Sequence, residues 1–269
     1  YEWLLHYGFK GGSILEPSIG HGVFVEYMPK KLMEKSQITA VEIDSLTCQI
    51  TKSLYPSLEL HHCGFEQFQP KNKFDLIIGN PPYGRSNVYD DAHRDLQGYC
   101  IHHYFVAKSM RLLKTGGLLA MVLPSYFMDN ITRNVRTIIQ REGGDLITAY
   151  RLPDDFFADA KVTVDIVFLT KGKTGNQWVG VKDIYVDNLK KTINEFFYHN
   201  GSNIFGNLEL IDVYERKALS CKRRGDVAML FAKEIKNMRL KAFVKHYLDF
   251  INKQTDAVKP IAEILKTTP

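Results

Sequence analysis

The chain has few cysteines, no long apolar run and no internal repeat. Its 269 residues include four cysteines, Cys48, Cys63, Cys100 and Cys221, none at Cys-x-x-Cys spacing. That excludes a disulfide framework and fits reduced, mostly buried thiols. No apolar stretch approaches the roughly 20 residues of a membrane helix, and the longest, around Gly117–Pro124, is strand-sized. The start, Tyr1-Glu2-Trp3-Leu4-Leu5, lacks a basic segment, a cleavage site and an initiator Met. The expectation is a piece of a longer cytoplasmic protein with no membrane contact. Hydrophobic content of 45% and charged content of 24% are globular values and exclude global disorder.

Charge is uneven. From Leu210 to Pro269 there are 13 Lys and Arg against 7 Asp and Glu, so the first 209 residues carry −1 of the net +5. Such a tail is either a solvated helical surface or a contact for nucleic-acid phosphate.

Short apolar runs alternate with helical stretches through Lys171, the pattern of a parallel sheet covered by helices. Strands are expected at Ser13–Pro17, Ile38–Asp44, Leu58–Cys63, Phe74–Asn80, Gly117–Pro124, Leu146–Leu152 and Val164–Thr170. Helices are expected at Val23–Lys35, Ser45–Tyr55, Tyr99–Leu113 and Asn130–Arg141, with a further helical region from Ile211 onward. The fold class is therefore α/β, a doubly wound, seven-stranded, mostly parallel sheet. Seven strands resemble the Rossmann-like class I methyltransferase variant of that fold, which implies an antiparallel last strand. The expected division is a catalytic domain over 1–208 and a basic helical extension over 209–269.

Two loops carry chemistry. In Glu16-Pro17-Ser18-Ile19-Gly20-His21-Gly22 a strand runs into a two-glycine turn and then a helix. Glycine there lets backbone approach a ligand. The carboxylate of Glu16 would repel a pyrophosphate but suits a sulfonium or ammonium group. Glu42, in Val41-Glu42-Ile43-Asp44, ends the second strand and could accept both hydroxyls of a ribose. Together they favour S-adenosylmethionine over a dinucleotide. After the third strand, Gly64-Phe65-Glu66 offers Phe65 either as a stacking partner for adenine or as plain core, and Glu66 for the adenine edge.

The second loop is Asn80-Pro81-Pro82-Tyr83, directly after a buried strand. An exocyclic amine on an aromatic ring is a poor nucleophile because its lone pair is delocalised. The Asn80 side-chain oxygen and the Pro81 carbonyl could each accept one N–H bond and free that lone pair. Fixed acceptors on a proline-stiffened loop are electrostatic preorganisation. Tyr83 would stack on the flat group being methylated.

In order and spacing, Glu16-Pro17-x-x-Gly20-x-Gly22, Glu42 and Asn80–Tyr83 resemble the DNA adenine-N6 methyltransferases whose cofactor motif comes first (the gamma arrangement). Ile101-His102-His103-Tyr104-Phe105, Arg151-Leu152-Pro153, Val164–Leu169 and Ile193–Phe197 extend the likeness to the methylase domain of large methylase–helicase fusion proteins of phages and conjugative elements. The resemblance covers Tyr1 to Leu208. It implies S-adenosylmethionine as cofactor, held by Glu16, Pro17, Gly20, Gly22, Glu42, Ile43, Phe65 and Glu66. It implies double-stranded DNA as substrate, with a flipped adenine held by Asn80, Pro81, Pro82 and Tyr83 and by Phe156 or Phe157. A helicase portion of the same parent chain is a further implied partner, and restriction-modification the implied setting. The same loop logic would serve an RNA base or a protein glutamine, and a non-catalytic module of the same fold is the rival of another class.

Three departures stand out. Many relatives carry Asp where this chain has Gly64. The segment that precedes Glu16 in relatives is cut short at Tyr1, and no separate target-recognition domain is evident. Nine histidines raise the question of a metal, but His61-His62 and His102-His103 lack the i, i+4 spacing of a helical site, so no metal is expected. Tyr89–Asp95, after the second loop, reads as a mobile segment or as a flap over substrate.

Overall fold

A computed structural model describes residues 1–84, 86–157, 161–213 and 216–237. Seven strands form one sheet: β1 (Gly12–Glu16), β2 (Ser36–Glu42), β3 (Glu59–His62), β4 (Phe74–Gly79), β5 (Leu113–Pro124), β6 (Gly144–Leu152) and β7 (Val164–Lys171). Their order is β3-β2-β1-β4-β5-β7-β6. The first five strands run parallel, and β7 inserts antiparallel to both β5 and β6. All seven strands expected from the sequence are present, each within a few residues. Phe74, Leu76, Ile77 and Ile78 of β4 are all buried, which is why this central strand reads as a continuous apolar run.

The helices are α1 (Glu2–His6), α2 (Val23–Glu26), α3 (Lys30–Met33), α4 (Ser45–Leu54), α5 (Ile101–Leu112), α6 (Tyr126–Asp129), α7 (Asn134–Arg141) and α8 (Glu195–His199). The expected helix Val23–Lys35 is two short pieces. Pro29 separates them, because it lacks an N–H to continue the ladder. The helix expected from Asn130 starts at Asn134, with α6 preceding it. Asp44 caps α4, its side chain accepting from the Thr47 N–H at 2.7 Å.

Beyond the sheet lie two hairpins. In the first, β8 (Val181–Val186) pairs with β9 (Leu189–Asn194) through Asp187 and Asn188, both at positive φ, as a tight two-residue hairpin turn needs. In the second, β10 (Gly206–Val213) pairs with β11 (Arg216–Arg223). This corrects two expectations. Residues from Ile211 are strand before they are helix, and a boundary at 208/209 would cut β10. Leu208 and Leu210 alternate with Asn207, Glu209 and Ile211, and cross-strand pairing resolves this mixed pattern as extended chain.

The second hairpin docks on the domain. The Asp154 N–H donates to the Cys221 carbonyl at 2.8 Å, and Cys221 is fully buried. Lys222 pairs with Asp154, Arg223 with Asp155 and Lys217 with Asp212, so part of the basic excess is neutralised within the fold. Helix follows over 227–237, where Phe231 packs on Tyr150 and Phe205. The remainder of the expected basic helix, 238–269, lies outside the described residues.

Arg151 knots the antiparallel side of the sheet. It is buried and holds Asp165 of β7 at 2.8 Å and Asp129 of α6 at 2.7 Å. Burial alone would lower its pKa, but the two carboxylates raise it above its usual value, so it stays charged. Arg151→Ala would leave the fully buried Asp165 without its counter-charge. The expected loss is about 3–5 kcal/mol in denaturant unfolding. A loss of less than about 1 kcal/mol, the scale of a surface pair, would show that the knot does not hold the sheet.

Candidate active site

The C-terminal ends of β1, β2, β3 and β4 share one edge of the sheet. Strand order reverses between β1 and β4, the switch point where open α/β sheets bind ligands. A cavity of about 330 Å³ opens there. Of the residues expected from the sequence, Pro17, Gly20, Glu42, Ile43, Phe65, Glu66, Asn80 and Pro82 line it. Ser18, Val41, Cys63, Gly64, Val88, Ile101 and Phe105 line it as well. Val88, Ile101 and Phe105 are not among the expected site residues, because nothing in their local spacing marks an apolar residue that meets the cavity only after folding.

Glu42 is fixed by backbone. Its Oε2 accepts from the Gly20 N–H, and its Oε1 from the N–H groups of Ile43 and Asp44, each at 2.9 Å. Three of the roughly four acceptor positions of a carboxylate are thus used, which leaves less capacity for ribose hydroxyls than the sequence suggested. Gly20 has φ +53 with open space at the Cβ position, as close ligand approach requires. Gly22 has another reason. It lies outside the cavity, at φ +79, and a Cβ there would meet the Tyr55 ring at 2.6 Å.

Glu16 does not line the cavity; it ends β1 one residue before Pro17, which does, and is 2% exposed, with Oε2 lacking a partner among the described residues. Burial pushes its pKa well above the usual carboxylate range. A buried, unpaired carboxylate at the end of β1 is unfavourable until a cation approaches. A sulfonium or ammonium group fits that need, so the residues present suit S-adenosylmethionine.

Phe65 is part of the core and also faces the cavity. It packs against Phe105 at 4.8 Å between ring centroids. Gly64 is explained by Glu66. A Cβ on residue 64 would lie 2.0 Å from Glu66 Oε1, so the Glu66 carboxylate fills the space that a side chain at 64 would take.

Asn80 is exposed at the rim, and Pro81 is buried behind it. The Tyr83 hydroxyl lies 2.7 Å from Asn80 Oδ1 and 3.1 Å from the Val122 carbonyl. A hydroxyl has one hydrogen, so it donates to one of these at a time. Burial raises the Tyr83 pKa well above normal and keeps that hydrogen in place. The ring is partly buried, packed like Phe157 against the cluster that includes Leu76, Ile78 and Phe168, whereas Phe156 is 40% exposed. Neither phenylalanine lines the cavity.

The segment after Tyr83 is anchored. Asp90 is 2% exposed and accepts from Tyr104 at 2.6 Å, from Lys108 at 2.9 Å and from the Ala92 N–H at 2.9 Å, with His93 Nδ1 at 2.9 Å. Burial alone would raise Asp90, but these bonds hold it well below the usual carboxylate range. Lys108 also donates to the Phe65 carbonyl at 2.7 Å, tying this segment to the cavity wall.

Comparison with known proteins agrees with this geometry. Residues 27–144 match the family described as Eco57I restriction-modification methylase. Over that stretch the chain is similar to the Eco57I methylases. The chain is 31% identical over 179 residues to the Defense against restriction protein B of Escherichia phage P1, covering 64% of this chain and 8% of that protein. It is 29% identical over 184 residues to the Type II methyltransferase M.TthHB8I of Thermus thermophilus, covering 62% of this chain and 41% of that enzyme. The chain thus spans less than half of either relative. A class I S-adenosylmethionine-dependent methyltransferase structure from Listeria monocytogenes superposes on 65% of this chain and 59% of its own, with TM-score 0.53 and 22% identity. That likeness shows the class I methyltransferase fold, and the resemblance to adenine methyltransferases read from the sequence is borne out.

Glu16 yields a pH test. Its pKa is higher folded than unfolded, so the folded state binds more protons and stability falls as pH rises above the unfolded carboxylate value, about 4.3. Glu16→Gln removes that cost. The variant should unfold at a higher temperature than the parent near pH 7 (roughly) and at the same temperature near pH 4 (roughly). An equal difference at both pH values would sink the assignment of a strained carboxylate.

Proposed function

We propose that this domain transfers a methyl group from S-adenosylmethionine to the N6 amine of adenine in DNA, with the base turned out of the duplex. The observation that carries the reading is Asn80 on a proline-stiffened loop, lining a cavity at the same strand edge where β1 ends in the buried, unpaired carboxylate of Glu16. Support for adenine comes from two relatives named as adenine-N6 methyltransferases of tRNA and rRNA, 30% and 33% identical over 121 and 141 residues. Support for DNA comes from the match to the restriction-modification methylase family over residues 27–144 and from the 184-residue match to a Type II methyltransferase.

S-adenosylmethionine supplies an electrophilic methyl on a positively charged sulfur. Glu16 lies where it would meet that positive end, Glu42 would meet the ribose, and Phe65 and Glu66 the adenine. Asn80 Oδ1 and the Pro81 carbonyl would accept the two N–H bonds of the target amine, drawing it toward a tetrahedral shape. For that, Asn80 Oδ1 must be released by Tyr83. The Val122 carbonyl at 3.1 Å gives the Tyr83 hydroxyl a second acceptor, so the switch leaves no buried donor unpaired. Phe157, packed against the same cluster as Tyr83, is better placed than Phe156 to complete a base pocket. Turning the base out costs a few kcal/mol of stacking. Double-stranded DNA, a helicase portion of the parent protein and a restriction-related role belong to the same proposal.

Two experiments test it. Asn80→Ala should lower methyl transfer to DNA by about 100-fold or more, with calorimetric affinity for S-adenosylmethionine changed less than about twofold (roughly 0.4 kcal/mol). Transfer at the parent rate would overturn the mechanism, and transfer to RNA but not DNA would replace the substrate. Gly64→Ala should fold, because the atom it displaces is the tip of the flexible Glu66 side chain. It should weaken S-adenosylmethionine binding as much as Glu66→Ala does. Unchanged binding in both variants would remove Glu66 from the site.

A further inference from the structure

The start of α5 gathers a thiol and two imidazoles that the proposed reaction does not use. Cys100 is the residue just before the helix, and its thiol is free. Its Sγ, one ring nitrogen of His102 and one of His103 all lie within 4.8 Å of one another. His102 is fully buried and His103 is 8% exposed. Both nitrogens of His102, and Nε2 of His103, have no hydrogen-bond partner among the described residues. Their neighbours are largely aromatic: Tyr126 packs on His102 at 5.0 Å and Phe127 on His103 at 5.6 Å between ring centroids.

This is a costly arrangement. A neutral imidazole carries one N–H and one lone pair, and each buried without a partner loses its full hydration. One thiolate and two imidazole lone pairs form a borderline-soft donor set, suited to zinc-like ions and unsuited to calcium or magnesium, which take oxygen. We propose that Cys100, His102 and His103 bind a single zinc-type divalent cation.

Cys100 loses its proton to solvent on binding and ligates as thiolate. Each imidazole donates one nitrogen lone pair and keeps its proton on the other nitrogen. Three protein ligands leave a fourth tetrahedral position for water. Metal bonds of about 2.0–2.3 Å place ligand atoms about 3.3–3.6 Å apart in a tetrahedron, so the cluster must contract by about 1 Å. Cys100 is the N-cap: its carbonyl accepts from the Tyr104 N–H, but its side chain caps nothing and is only partly buried, which leaves the thiol free to turn. The Arg136 guanidinium opposes a cation near His103, and the Cys100 thiolate offsets it. The spacing argument from sequence weighed the adjacent histidines alone. Cys100 joins them only because the chain turns into the helix at that residue. The His102 ring lies 6.4 Å from that of Tyr83, so the ion would brace the floor beneath the Asn80–Tyr83 loop without touching it.

The test is titration of the chelator-treated 269-residue chain with Co²⁺, followed by absorption. The expected result is saturation at one Co²⁺ per chain, with a thiolate charge-transfer band in the near ultraviolet and the visible bands of four-coordinate cobalt. Zn²⁺ should displace it. Cys100→Ser should abolish the charge-transfer band and weaken Co²⁺ binding by at least about 10-fold, the lower bound for losing even an outer-shell partner. No saturable band in the parent, or an unchanged band in Cys100→Ser, overturns the proposal. Should Cys100→Ser fail to fold by circular dichroism, His103→Gln carries the same comparison through the visible bands.

Discussion

A buried carboxylate at the end of the first strand is the constraint around which this cavity is arranged. Glu16 sits where β1 stops and the strand order reverses, and it is almost wholly buried. Its cost in the free protein is also its selectivity, because a cation relieves it and an anion does not. Glu42 and Asn80 end or follow strands on either side of β1, so the same sheet edge that strands Glu16 presents the other polar groups to one space. The parallel sheet makes this automatic, since its strand ends align and each loop after them meets the same ligand.

Positioning then passes outward through buried polar anchors. Asp90 and Lys108 join the segment after Tyr83 to the carbonyls of the cavity wall, and Arg151 joins β6, β7 and α6 on the antiparallel side. Each of these ions is expensive to bury and is tolerated because it is multiply paired. A segment tied by Asp90 is not a freely moving flap. Any closure over substrate has to pivot on that anchor.

The core of the fold was legible from local pattern. Seven strands were readable because strands buried on both faces give apolar runs bounded by turns, as in Phe74–Gly79. The antiparallel last strand came from the resemblance to class I methyltransferases rather than from pattern. The pattern failed where burial is one-sided or partial. The hairpin Gly206–Arg223 mixes charge and apolar residues, and only pairing across it decides for strand. Pro29 was visible, but its effect depended on a helix too short to tolerate a kink.

The sequence by itself determined the chemistry of the two loops. Residue types such as Glu16, Glu42 and Asn80-Pro81-Pro82-Tyr83 carry their charge, hydrogen-bonding capacity and stiffness wherever they are placed. Tertiary structure alone decided which groups share a space and which are already satisfied. It spent most of Glu42 on backbone, gave Gly22 to Tyr55 rather than to ligand, put the Glu66 carboxylate over Gly64, and brought Cys100 to His102 and His103. The physical reason is that charge and donor capacity are properties of a side chain, whereas desolvation and pairing are properties of its surroundings.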